Sequence, residues 1–159
     1  MKWLLIGAVA LALFFGLPFR QYNTEALLPI ETVQVLLSRE GVTLVSEAGS
    51  GKGADWQEAV EDLRQNASGE VFFHTAEQVV LCDAGEDLLP QLLDSGMLRP
   101  AARVCRAKEL YEPEGLGEYL ATHGSKVTVR ELQGAIARKE GISLPTVTPP
   151  LPPWEEVGS

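Results

Sequence analysis

Strand-like and helix-like stretches alternate along most of this 159-residue chain, which predicts an α/β fold, with a mixed α+β arrangement as its variant. Three observations carry the prediction. Apolar residues recur at i, i+3, i+4 and i+7 in Trp56, Ala59, Val60 and Leu63, one face of an amphipathic helix. The run Gln78-Val79-Val80-Leu81-Cys82 is continuously apolar after its first residue, as in a buried strand. A leucine-rich helix separates it from another strand, Ala102–Ala107, so the two should be parallel neighbours. The predicted order is β-β-α-β-α-β-α-α, with one mixed sheet of about four strands and helices packed on it, after an N-terminal membrane helix.

The elements follow in order. Thr32–Leu37 partly alternates and reads as a strand, Arg39-Glu40-Gly41 as a turn, and Val42–Ser46 as the second arm of a hairpin. Ala48–Ala54 is rich in glycine and reads as a flexible loop. Asp55 suits an N-cap, with Glu58 three residues on, and Asn66-Ala67-Ser68-Gly69 ends that helix. Asn66-Ala67-Ser68 is also a glycosylation sequon, relevant only to a eukaryotic secretory route. Val71-Phe72-Phe73-His74 begins a strand-like stretch that leads to Gln78–Cys82. Leu88, Leu89, Leu92, Leu93 and Met97 form the next stripe, with Pro90 in the first turn and Gly96 closing it. Leu116, Tyr119 and Leu120 fit a short helix ending at His123-Gly124. Thr128-Val129-Arg130-Glu131 is a capping box for a last helix with Leu132, Ala135 and Ile136 on one face and Gly141 as its stop. From Leu144 the chain is Pro-rich and should be an extended tail or tether.

Length permits one domain with a real core and not two comfortable ones. The expected boundaries are a signal-anchor or transmembrane segment at 1–20, a linker at 21–29, an α/β domain at 30–143 and the tail at 144–159. Net charge is −9, and because Lys2 and Arg20 are the only charges among the first twenty residues, the remainder is two units more negative. Such a body repels phosphates, so neither nucleic acid nor anionic lipid headgroups are expected partners.

Residues 3–19, Trp3 to Phe19, carry no charge, with Lys2 before them and Arg20 after. As a helix they would extend roughly 25 Å, the lower limit for a bilayer span. A cleaved signal peptide and a retained single-pass anchor compete here. Bulky Phe14, Phe15, Leu17 and Phe19 stand where cleavage needs small residues, which favours retention with the domain extracytoplasmic; secretion after cleavage is the alternative. No cysteine near the run is available for lipid attachment.

Candidate chemistry is sparse. Cys82 and Cys105 each end an apolar run, and parallel neighbouring strands would bring them to the same end of the sheet, which makes them candidates for a disulfide in an exported domain. The competing account is two buried thiols. No CxxC or Cys/His cluster is present, so no metal or other cofactor is expected. The Gly-Lys loop is not a phosphate-binding loop: that motif needs Gly, four residues, then Gly-Lys-Ser/Thr, and here Ser46 and Gly53 stand at the ends. A Cys82–His74 nucleophile would require the fold to make them neighbours. Glu58, Glu61 and Asp62 lie on the polar side of a helix, and no serine has a nucleophile-elbow context. An enzyme is not expected.

From Asp55 onward the order of signals resembles the N-terminal domain of the Ger(x)C family, the C subunits of spore germinant receptors. The residues concerned are Gly51-Lys52-Gly53 leading into Gln57-Glu58-Ala59-Val60, Phe72-Phe73-His74 before Val79-Val80-Leu81, Leu88–Leu93 followed by Arg99-Pro100, Val104–Lys108, and Thr128-Val129-Arg130-Glu131-Leu132 through Ser143-Leu144-Pro145. Two departures stand out: the family's lipid-bearing cysteine and its larger C-terminal portion are missing. The resemblance implies an extracytoplasmic, membrane-held, non-enzymatic interaction domain linked to spore germination or the sporulation envelope, with germinant-receptor or other envelope proteins as partners. The alternatives are an extracytoplasmic module for a small molecule or peptide, and an exported enzyme using Cys82.

Overall fold

The computed structural model describes residues 27–83 and 85–155. Its elements are β1 (Leu27–Pro29), β2 (Thr32–Ser38), β3 (Gly41–Ser46), β4 (Gly49–Gly53), α1 (Trp56–Asn66), β5 (Glu70–Phe72), β6 (Gln78–Asp83), α2 (Leu89–Asp94), β7 (Arg103–Ala107), α3 (Leu116–His123) and α4 (Val129–Arg138). Five strands form one mixed sheet in the order β4-β3-β2-β6-β7. Pairing is antiparallel across β4, β3 and β2 and parallel across β2, β6 and β7. β1 and β5 form a separate parallel ribbon. The fold is mixed α/β, and the expected parallel pair joined by a helix is β6 and β7.

Strand alternation divides the core in two. Val33, Val35, Val42, Leu44, Val79, Leu81 and Val104 pack with α1, α2 and α4 on one face. Val45, Val80, Cys82, Cys105 and Ala107 pack with α3 on the other. The predicted caps hold: Asp55 accepts from the Glu58 N–H at 2.9 Å, and Thr128 and Glu131 form a full capping box. Trp56, Ala59, Val60 and Leu63 are the buried residues of α1.

Several expectations need correcting. Ala48–Ala54 is no flexible loop, since Gly49–Gly53 is β4, an edge strand beneath α1. A Cβ on Gly51 would collide with the Ala59 carbonyl oxygen, and one on Gly53 would come within 2.5 Å of the Ala59 nitrogen. Glycine is needed there because the helix backbone lies directly on the strand. The Lys52 N–H points away from β3 and donates to the Asp62 carboxylate at 2.8 Å, which closes part of this edge. The linker expected at 21–29 ends in β1, paired with β5. α4 stops at Lys139, which takes the left-handed conformation at φ +57°, so Gly141 lies beyond the helix. Ile136, expected on the buried face, is 49% exposed, and the helix buries Val129, Leu132 and Ala135 instead.

The Pro-rich stretch is extended but is not a free tail. The Arg106 N–H donates to Pro145 O at 2.9 Å and the Val147 N–H to Arg106 O at 2.8 Å, so it runs along the outer edge of β7. Leu144 and Val147 are buried, which puts the expected boundary at 143 inside the core. The other half of that edge is covered by Val127 and Thr128: the Val104 N–H donates to Val127 O at 2.8 Å, and Arg103 bridges Thr128. No helix among the described residues is long and apolar enough to cross a membrane; Trp3–Phe19 lies outside them.

Candidate functional site

One rung of the sheet sets the position of the site. Lys52, Thr43, Leu36, Cys82 and Ala107 are consecutive partners across all five strands. α3 packs over the β6–β7 side of this face through Leu116 and Leu120. Over β2, β3 and β4 no helix among the described residues covers the same face, and a groove of about 390 Å³ lies there. Leu36, Thr43 and Lys52 line it from the sheet, Asp83 from the end of β6, and Lys108, Glu109 and Leu110 from the segment after β7. Pro153 and Trp154 close the far side. It therefore opens at the carboxyl ends of the parallel strands, where the sheet changes from parallel to antiparallel, the usual ligand position in open α/β sheets.

Buried hydrogen bonds fix the walls. Both ends of the Gln34 side-chain amide bond the backbone of Tyr111 from within the sheet face. Cys82 Sγ–H donates to Glu109 O at 3.1 Å. The tail is laced to the same segment: the Glu112 N–H donates to Pro152 O at 3.1 Å and the Trp154 N–H to Leu110 O at 2.9 Å. Asp83 has φ +48°, one of two non-glycine residues in the left-handed region among the described residues. Aspartate tolerates that conformation better than most side chains, and such positions gather at binding sites.

The lining combines apolar Leu36, Leu110, Pro153 and Trp154 with two ammonium and two carboxylate groups. Cys82 lies under the floor, fully buried. Burial, reinforced by the Cys105, Glu109 and Asp83 groups around it, pushes its thiol up to about 12. At neutral pH it is a neutral thiol and a poor nucleophile.

The cysteines do not form the candidate disulfide: both are free and buried, as in the competing account. Cys82 faces Ala107 while Cys105 faces Val80, a register offset of two residues. Strand spacing and rise then place their Cα atoms about 8 Å apart, beyond the roughly 7 Å a disulfide spans. The Cys82–His74 pairing is not made either. His74 lies in the turn before β6 and Cys82 near its far end, and His74 contacts Phe72 edge-on at 5.7 Å. His123 stacks on Tyr119 at 4.6 Å at the end of α3. Gly51 and Gly53 face the α1 backbone, which leaves no cradle for a phosphate. Among the described residues no group of His, Cys, Asp and Glu is arranged to hold a metal.

A second, larger concavity of about 650 Å³ runs along the solvent side of α4, lined by Lys126, Arg130, Arg138 and Ile142 among others. Glu131 there is engaged in the Thr128 cap and Arg138 in an ion pair with Glu140 at 2.8 Å. Its walls are long surface side chains, whereas the first groove is walled by backbone tied to the sheet.

Asp83, the Lys108-Glu109 pair and Trp154 were invisible as a site in the sequence because they belong to three separate segments. The one available signal was position: Asp83 and Lys108 directly follow the two predicted parallel strands. No family model, no curated protein and no solved structure matches this chain.

Proposed function

We propose that the chain is a membrane-held, extracytoplasmic, non-catalytic interaction domain that receives its ligand in the groove between Leu36, Asp83, Lys108 and Trp154. The observation that carries this reading is the groove itself: rigidly walled, mixed in polarity, and lying over a thiol held protonated. About 390 Å³ suits a small molecule or a short stretch of peptide. The apolar segment Trp3–Phe19 supports the membrane attachment, since it ends shortly before β1 begins. The resemblance to the Ger(x)C N-terminal domain supports a role in spore germination or the sporulation envelope, with envelope membrane proteins as partners.

The test is a thermal-unfolding screen of the full chain in mild detergent against amino acids, sugars and peptidoglycan fragments, run beside Trp154→Ala. The expected result is a ligand-dependent rise in Tm that Trp154→Ala removes. A panel without any shift, together with no envelope partner after mild crosslinking in membranes, would defeat the proposal.

A further inference from the structure

We infer that the ligand of this groove is a small zwitterion with an apolar substituent, the pattern of an α-amino acid, its ammonium group meeting Asp83 and its carboxylate meeting Lys108. The inference rests on the binding reading above and adds the chemical class.

Cys82 and Ala107 are the last paired residues of β6 and β7, so Asp83 and Lys108 leave two neighbouring parallel strands side by side. Their Cα atoms are separated by roughly one strand spacing of about 5 Å. Opposite charges that close normally pair, yet neither side chain makes an ion pair among the described residues, and both line the groove. Glu109 adds a second carboxylate, its backbone anchored by Cys82.

The charges select against simpler ligands. A pure anion would enter beside two carboxylates, and a pure cation beside the two ammonium groups of Lys52 and Lys108. A molecule that carries both charges a few ångströms apart satisfies each side in one pose. Leu36, Leu110 and Trp154 supply the surface for its apolar part.

Titration calorimetry of the full chain in mild detergent tests this with leucine, leucinamide and N-acetylleucine. Leucine should bind, and masking either charge should weaken binding by about tenfold or more, the worth of one charge-assisted hydrogen bond. Asp83→Asn should weaken leucine, and Lys108→Gln likewise. Asparagine tolerates the left-handed backbone, and circular dichroism with Tm confirms that both variants are folded. Equal affinity for a masked compound, or for either folded variant, overturns the inference. If leucine fails while a neutral sugar or fragment binds and Trp154→Ala abolishes that binding, the ligand class is wrong and the binding reading stands. If nothing binds, both fall.

Discussion

Gln34 grips Tyr111 by both ends of one amide: Nε2 donates to the Tyr111 carbonyl at 2.6 Å, and Oε1 accepts from the Tyr111 N–H at 2.8 Å. Gln34 is fully buried in a strand whose neighbours are valines, so its polarity is tolerated only because both groups are satisfied. It does for the segment after β7 what a strand partner would do.

Gln34→Leu should therefore lower stability by about 2–4 kcal/mol, because a backbone donor and acceptor are left buried without partners. Urea unfolding measures it. The same substitution should loosen the Lys108–Leu110 wall and weaken ligand binding by more than the loss of stability alone explains.

Two glycine-to-alanine changes should have opposite signs. Gly51→Ala forces a methyl against the α1 backbone and should cost about 1–3 kcal/mol or more. Gly134→Ala, in the middle of α4, meets only the flexible Arg138 guanidinium at 3.1 Å and should stabilise by about 0.5–1 kcal/mol. Paired denaturation curves decide both.

Thr128→Ala should remove about 1 kcal/mol by breaking the α4 cap, and Thr128→Ser should spare most of it. Hydrogen bonds from the Thr128 N–H and hydroxyl hold the Glu131 carboxyl below the usual glutamate range. A lowered folded pKa contributes stability above the unfolded value, and that contribution is lost as pH falls through the folded one. The acid limb of the stability profile should be flatter in Thr128→Ala than in the parent.

The thiols should act at the opposite end of the scale. Burial is the main cause that raises both Cys82 and Cys105 from 9.0 to about 12. Their contribution is complete below pH 9 and is lost as pH rises toward 12, because unfolded thiols ionise first. Stability of the Cys82→Ala, Cys105→Ala double variant should fall less steeply over that range. A chromogenic disulfide reagent at neutral pH should leave both native thiols unmodified and titrate both after denaturation.

Local chemistry made part of the fold legible. Asp55 and the Thr128–Glu131 box announce their helices because capping is a contact between near neighbours. The β6–α2–β7 unit shows in apolar runs joined by a leucine stripe. Gly49–Gly53 was hidden because glycine has poor strand propensity, and the reason for it, the α1 backbone overhead, is a tertiary fact. The cysteine register was hidden likewise, since adjacency of strands does not set which residues face. The groove combines residues from six places along the chain, and no pattern of spacing announces it.

The outer edge of β7 has a consequence for biosynthesis. Its backbone partners at 127–128 and 145–147 are made only after β7 itself, with α3 and α4 intervening. Throughout that interval a nascent chain carries a parallel strand with one bare side, the kind of surface that recruits foreign strands. The pace of translation between Lys108 and Val147 thus sets how long the half-made sheet needs shielding.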